Sequence, residues 1–393
     1  MTLHGKTAFV TGGTGFIGGR LIEVLTAQYG MRVRALVRNN HATPGSYRIA
    51  GCGAEIFQGD ICDPQRMKQG IAGCDFVFHC AFGNSGDTKR DQLTTVGGTQ
   101  TVAGAAGANS VQHFVNLSTM VVFGDAPETA DESFIPNKLW KWPYPHQKRE
   151  AEAAVAAEYV RSGLPVTTLR LGTVYGPWGA AFTYGPLAAL KRGRVVLVEN
   201  GAGISNAVYV DDVVQAIVLA ARRKGPGPEL CLIRGPDQVT WRQFYEAYET
   251  MAGTDSLVDM TLDEVRADAR RNARAALRDA LPGALGALKR DPEFKKIASQ
   301  LPFVSEGWKA YRRRRGVSPS VMGVAARAPA EAQTDMRPLI AVPEMMWGAY
   351  ASRTEFRIDH AREVLGYQPM FDLARGMAIT RAWAEWAGLI GPA

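Results

Sequence analysis

Through the first half of the chain, short apolar runs rich in β-branched residues alternate with stretches whose apolar positions recur at helical spacing. Ala8-Phe9-Val10, between Thr7 and Thr11, reads as a buried parallel strand, and an apolar helical pattern follows from Phe16 through Leu21, Ile22 and Leu25. Further strands are predicted at Met31–Val37, Ala54–Gln58, Phe76–Cys80, Val111–Leu117 and Val166–Leu171, with a small-residue helix from Leu93 to Ala108. This alternation predicts an α/β fold, a Rossmann doubly wound parallel sheet over residues 1–177. After Gly176-Pro177 the rhythm changes to short strands (Val195–Val198, Ala207–Val210, Leu230–Ile233) and helices at Asp212–Arg223 and Trp241–Met251. Residues 206–235 are expected to return to the first domain, and 178–393 to form a smaller C-terminal substrate region. Within it, 255–350 reads as a mostly helical insertion, with Arg266, Arg270, Arg271, Arg274 and Arg278, a cluster at Arg312–Arg315, and a loop-like stretch from Val317 to Pro338. The regular pattern resumes at Phe356–Asp359 and ends in a helix over Leu373–Trp386.

The first strand breaks at a glycine turn that opens a helix, which is the context that gives such a motif meaning. Gly12 and Gly13 allow a sharp turn, Gly15 lets a pyrophosphate approach the backbone, and Gly18 lets helix pack on sheet. The backbone of Thr14, Phe16 and Ile17 completes the loop, and the helix start offers free N–H groups and a positive dipole end to phosphates. Composition narrows the setting. The 393 residues are 46% hydrophobic and 21% charged, as in a globular protein, and no run of 18 apolar residues suggests a membrane span. Five cysteines without metal-ligand spacing suit a reducing, cytoplasmic location, and no metal is expected. The net charge of +7 is mild and gives no reason to expect nucleic acid.

The second strand carries Arg34 and ends at Arg38, with no acid to hold a ribose 2′-hydroxyl. Arginine there can hold a 2′-phosphate, so NADP(H) is favoured and NAD(H) is the alternative. Tyr144 and Lys148 are four apart at the start of an alanine-rich helix opened by proline, so they share a face. A nearby ammonium group favours the phenolate and is expected to bring a phenol towards neutral pH. Upstream, Ser118 and Thr119 put hydroxyls at a strand end, where ligands bind in such sheets.

Taken together, these motifs resemble the extended short-chain dehydrogenase/reductases, the NAD-dependent epimerase/dehydratase superfamily, and are closest in flavour to dihydroflavonol-reductase-like members. The resemblance rests on Thr11-Gly12-x-x-Gly15-x-x-Gly18, Gly59-Asp60-Ile61-x-Asp63, His79-Cys80-Ala81 and Leu117-Ser118-Thr119 with Val122-Phe123-Gly124. It continues in Tyr144-x-x-x-Lys148, Arg170-Leu171-Gly172-x-Val174-Tyr175-Gly176-Pro177, Val208-Tyr209-Val210-Asp211-Asp212 and Leu365-Gly366-Tyr367-x-Pro369. It implies that Asp60 and Ile61 meet the adenine, that Cys80 and Ala81 join the cofactor site, and that Leu171, Gly172 and Val174 line the nicotinamide. It also implies a catalytic set of Thr119, with Ser118 beside it, Tyr144 as general acid/base, and Lys148 holding the ribose while tuning the phenol. Three departures stand out: no arginine lies in Gly203–Val208, Thr95 stands where an asparagine is usual, and Phe123 where many members have tyrosine. The first two weaken a nucleotide-sugar reading.

The function expected is hydride transfer between a nicotinamide and a carbonyl or secondary alcohol on a small molecule. The alternative is an epimerase or dehydratase acting on a sugar or nucleotide-sugar with retained, recycled cofactor. Within the insertion, 281–315 mixes apolar residues with Lys289, Arg290, Lys295 and Lys296. Such an amphipathic surface must pack on something: the cleft as a lid, a second subunit, or an anionic membrane face as a peripheral contact. The lid is favoured, and a homodimer is expected.

Overall fold

The computed structural model describes residues 2–38, 43–225, 227–290 and 337–391. Its main sheet has seven parallel strands: β1 (Thr7–Thr11), β2 (Arg32–Val37), β3 (Glu55–Gln58), β4 (Phe76–His79), β5 (His113–Thr119), β7 (Val166–Leu171) and β11 (Pro228–Ile233). The spatial order is β11-β7-β5-β4-β1-β2-β3. The chain therefore winds outward from β1 to β3, then returns to β4 and winds the other way. That reversal leaves a crevice at the carboxyl ends of β1 and β4, where Thr11 pairs with His79.

Helices cover both faces, so the strands read as continuous apolar runs. On one face α1 (Phe16–Ala27) packs against α8 (Val210–Arg222); on the other, α5 (Gly98–Ala108) lies between α3 (Pro64–Ile71) and α6 (Pro143–Ser162). The side chains alternate accordingly: Val10, Phe78, Val115 and Leu117 enter one core, Phe9, Val77 and Phe114 the other. The small residues of α5 let it approach α6 closely. Its expected start at Leu93 differs in detail, because Leu93–Gly97 winds as a wider π turn before the α-helix begins at Gly98.

Two boundaries shift in ways that matter. β5 runs to Thr119 rather than ending at Leu117, because Ser118 and Thr119 still pair with Arg170 and Leu171 of β7. The insertion is also narrower than 255–350. Strand β12 (Leu257–Met260) and strand β13 (Leu339–Ile340) both pair with β9 (Arg194–Val198), so they belong to the main body. One compact unit is residues 1–261 with 338–393, and the second is 262–337. In the second, helix α10 (Leu262–Arg290) is described. Most of the 281–315 stretch, the Arg312–Arg315 cluster and the loop-like stretch to residue 336 lie outside the described residues. Among the described residues no helix is long and apolar enough to cross a membrane.

The paired aspartates Asp211 and Asp212 are structural. Asp211 holds Arg20 of α1 through two hydrogen bonds of 2.6 and 3.0 Å. Asp212 is buried and accepts the backbone N–H groups of Met370 and Phe371, which fastens the segment after Gly366-Tyr367 onto α8. Burial is the larger influence on its carboxyl and pushes it up to about 6. Near the start of β11, Glu229, Cys231 and His360 bring three metal-ligating groups within 4.8 Å of one another. The Glu229 carboxylate is already committed there, to Arg223 at 2.5 Å and to His360 at 2.7 Å.

Candidate active site

The glycine turn sits at the mouth of the crevice, and the fold itself requires its glycines. Gly12 has φ +68°, and a Cβ there would lie 2.8 Å from the Ala81 nitrogen. A Cβ on Gly18 would lie 2.4 Å from the Gly12 carbonyl oxygen, and one on Gly13 would strike the Ile22 side chain at 2.7 Å. Gly15 differs, since a Cβ there would meet only the Gly12 oxygen, at 3.1 Å. Thr14 and Gly15 form the exposed tip of the turn, and no side chain caps α1, which begins at Phe16 with Ile17 next. An uncapped helix start beside a cradle that excludes Cβ atoms fits the diphosphate of a dinucleotide. Behind it, Ala81 N–H donates to Thr11 Oγ1, and a chain of 2.9 Å contacts runs from Thr11 through His79 to Thr99. Burial holds the His79 ring far below its ordinary value, at about 3, so it is neutral.

The two arginines of β2 part company. Arg38 lies one residue beyond the strand, exposed at its carboxyl end, where its charge acts on the Cys62 thiol. Asp60 is exposed in the same quarter, while Ile61 is buried against Gly98. Arg34 instead bonds Glu55 at 3.0 Å and the Gly70 and Ala72 carbonyls at 2.8 and 3.2 Å. Those carbonyls close α3, which returns from the carboxyl end of β3 to the amino end of β4. A cation there complements the helix dipole. The expectation that Arg34 holds a 2′-phosphate is therefore corrected: it is committed at the opposite end of the sheet.

Tyr144 is the second residue of α6, and Lys148 lies one turn on. Pro143 starts the helix, and Lys148 is buried where α6 crosses β5. The Thr119 side chain beside the phenol pulls its pKa down, but burial dominates and pushes it up to about 12. Lys148 donates to the Leu117 carbonyl at 2.8 Å. Burial lowers it to about 8, against the pull of Glu152 and Cys80. The expected tuning of Tyr144 by Lys148 is not what the geometry gives: the ammonium turns to a backbone oxygen, and the phenol stays protonated at neutral pH. Thr119, rather than Ser118, is the hydroxyl that acts on the phenol, and its Oγ1 also accepts from the Val121 N–H at 3.3 Å. The Ser118 Oγ is buried without a hydrogen-bond partner among the described residues.

Leu171 and Val174 lie in β7 and in β8 (Thr173–Tyr175), where β8 pairs with β10 (Ala207–Tyr209). Gly172 between them admits no side chain, because a Cβ would fall 2.1 Å from the Asn206 oxygen. Cys80 lies beside Lys148, and burial pushes its thiol up to about 12. The departure at Phe123 has a physical reason: the ring is fully buried, tilted against Phe356 at 4.9 Å and covered by the Arg170 guanidinium at 4.6 Å. A hydroxyl on such a ring would need its own partner. In Gly203–Val208 the side chains turn inward. Ser205 donates to the Val239 carbonyl, and Asn206 is locked at φ +47° by bonds with Thr354 and Phe356.

Sequence reasoning passed over three features of the site. Phe82 follows His79-Cys80-Ala81 directly and packs edge-on to Tyr144 at 5.8 Å, with the Lys148 ammonium 5.4 Å from its ring centre. Trp142 immediately precedes α6 and lies 5.2 Å from the Tyr144 ring. Both were findable as aromatic residues at the edges of recognised motifs. The third is the half-buried pair of Glu152 with Arg170, 2.7 and 3.0 Å, which clamps α6 onto β7 one turn beyond Lys148.

The chain resembles known proteins in sequence and in fold. A model of the NAD dependent epimerase/dehydratase family matches residues 8–233. The chain is similar to a 4-hydroxy-2-methyl-3-oxo-4-farnesyl-3,4-dihydroquinoline-1-oxide ketoreductase of Stigmatella aurantiaca, 32% identical over 60% of this chain and 70% of that one. A 2-alkyl-3-oxoalkanoate reductase of Shewanella oneidensis is 29% identical over 54% of this chain and 56% of its own, so the chain spans little more than half of that relative. In fold it resembles a dTDP-glucose 4,6-dehydratase of Streptomyces venezuelae crystallised with NAD, with a TM-score of 0.65, 20% identity, and 98% and 99% of the two chains covered.

Proposed function

Because the chain belongs to the NAD-dependent epimerase/dehydratase family, we propose that it works as an NADP(H)-dependent carbonyl reductase on a small molecule, with Thr119, Tyr144 and Lys148 as its catalytic set. The observation that carries this reading is the grouping of Tyr144 and Lys148, in the first turns of α6, with Thr119 at the carboxyl end of β5, where Lys148 is tied to the Leu117 carbonyl and the phenol keeps its proton at neutral pH. Reduction of a carbonyl needs an acid that begins with its proton in place. The product alkoxide, whose conjugate acid is about as weak as water, still takes a proton downhill from the phenol. Bound NADPH would supply the hydride that the carbonyl carbon accepts. Thr119 orients the carbonyl oxygen, Tyr144 gives it the proton, and Lys148 would hold ribose hydroxyls with the N–H groups not used on Leu117. The exposed Arg38 supports NADPH over NADH.

Two observations favour reduction over sugar chemistry. Elimination of water calls for a further acid/base group, and the two residues after Thr119 are Met120 and Val121, neither of which can ionise. The Gly203–Val208 segment offers no cation to a diphosphate, and Ser205 there is spent on Val239. Among relatives matched by sequence, two are described as reductases of a ketone or an oxoacid and another, 30% identical, as a dTDP-glucose 4,6-dehydratase, so the preference for reduction rests on the residues of this chain. The test is turnover of added NADPH with a panel of ketones, followed at the nicotinamide absorbance. Stoichiometric, continuing NADPH consumption is expected. Conversion of a nucleotide-sugar with retained cofactor and no net consumption would overturn the reading in favour of an epimerase or dehydratase.

A further inference from the structure

We infer that Phe82 and Trp142 make the substrate mouth an aromatic clamp that selects a flat, conjugated or aryl carbonyl compound over a saturated one of equal size. This rests on the reductase reading of the same site and adds the class of substrate. Three observations carry it. First, both rings touch Tyr144 itself, Phe82 in an edge-on arrangement (5.8 Å, 62°) and Trp142 tilted (5.2 Å, 33°). A carbonyl compound held at the phenol would lie beside them. Second, Phe82 is 44% exposed although it is large and apolar, so the fold leaves much of its surface without a partner beside the reacting atoms. Third, both rings are set by the backbone of the site. Phe82 follows the motif packed against Gly12, and Trp142 is the residue on which α6 starts, before Pro143.

The electrostatics agree with this selection. The Lys148 ammonium lies 5.4 Å from the Phe82 ring centre and polarises it. Aromatic rings prefer offset or edge-to-face partners, a geometry that a planar π-system can meet and a puckered saturated ring cannot. The clamp would thus act mainly on substrate binding, while Thr119 and Tyr144 perform the proton transfer. Phe82 and Trp142 are specificity-determining residues in this account.

The test compares 2-acetylnaphthalene with cyclohexyl methyl ketone in the NADPH-loaded full chain. It adds calorimetric binding of naphthalene-2-carboxamide, which is flat but not reducible. Parent protein is expected to favour the aryl ketone by at least tenfold in kcat/KM and to bind the carboxamide. Phe82→Leu and Trp142→Leu keep apolar bulk but remove the ring; each should cut that preference several-fold, through KM, and weaken carboxamide binding. Phe82→Tyr should restore both. Carboxamide binding that needs both rings, without turnover of either ketone, would sustain the clamp and sink the reductase reading. Turnover of both ketones with no ring-dependent preference, or no carboxamide binding at all, would overturn the clamp. Unchanged melting temperatures in the leucine variants exclude misfolding as the cause.

Discussion

The two walls of the crevice are built by opposite means. At β1 and α1 the wall is shaped by missing side chains: Gly12, Gly13 and Gly18 leave no room for a Cβ because backbone and core atoms already fill it. At β4 and α6 the wall is shaped by large side chains, with Phe82 and Trp142 each packed against Tyr144. In the proposed reading the first wall answers to the common part of a dinucleotide, its form fixed by folding, and the second answers to the substrate. The difference explains how one family can contain ketoreductases and sugar dehydratases on the same frame.

The largest effect that would test this division is on the second wall. Tyr144→Phe leaves the ring, and its contacts with Phe82 and Trp142, but removes the proton. Turnover should fall by roughly two to four orders of magnitude with NADPH affinity little changed. Near-normal rates on an authentic substrate would show that the acid has been misassigned.

On the first wall, Gly18→Ala should damage folding and cofactor binding together, since its Cβ would sit 2.4 Å from the Gly12 oxygen. A loss of about 1–3 kcal/mol in stability is expected from strain of this kind. Gly15→Ala has space for its Cβ beside only one neighbour, at 3.1 Å. It should spare the melting temperature and weaken NADPH binding alone. If the two variants lost stability equally, the cradle would be a packing feature with no bearing on phosphates.

The same contrast shows what the sequence could and could not reveal. The glycine turn was legible because it is local: strand, turn and helix are contiguous, and backbone constraints write themselves into glycine spacing. The six expected strands recur as strands in the main sheet for the related reason that parallel strands are apolar on both faces. What could not be read was direction and company. Arg34 and Arg38 look equivalent in sequence, yet four residues of strand separate them by about 13 Å. One therefore closes α3 at the amino end of the sheet, while the other stands at the carboxyl end. Tyr144 and Lys148 were paired correctly on a helix face, but the Leu117 carbonyl that takes the ammonium belongs to a strand 31 residues away. The ends of the insertion were missed because two-residue β13 carries too little pattern to announce that it pairs with β9.

The arginine pair turns that lesson into a third test. Arg38→Asp should lower the NADPH-over-NADH preference by roughly tenfold, the loss of a charge-assisted contact replaced by repulsion. Arg34→Ala should leave the preference alone and cost stability instead, about 1–2 kcal/mol for orphaned partners at the end of α3. A preference that followed Arg34 would require its side chain to leave Glu55 and Gly70, contrary to the arrangement described.

The smallest expected effect concerns pH and lies where the two walls meet, at Lys148. Burial lowers its ammonium to about 8, with Glu152 and Cys80 opposing the shift. Ribose binding needs the charged form, so affinity for NADPH should be full well below pH 8 and fall as pH rises through it. A simple titration at that value leaves roughly fourfold less ammonium at pH 8.5 than at pH 7, and the affinity should drop by about that factor. The Tyr144 phenol, up near 12, does not titrate in this range and contributes nothing to the fall. Stability moves the other way. A lysine whose folded pKa lies below its unfolded value of 10.5 sheds its proton first in the folded state. The Lys148 contribution to stability therefore increases as pH rises through 8. Falling affinity with a steady or rising melting temperature is the expected signature, measured by NADPH titration and thermal unfolding on the same samples. Glu152→Gln removes the opposing charge and should move the midpoint of the affinity loss to lower pH. A midpoint that stayed put in that variant would show that Glu152 serves only to clamp Arg170, and that the charge at Lys148 is set by burial alone.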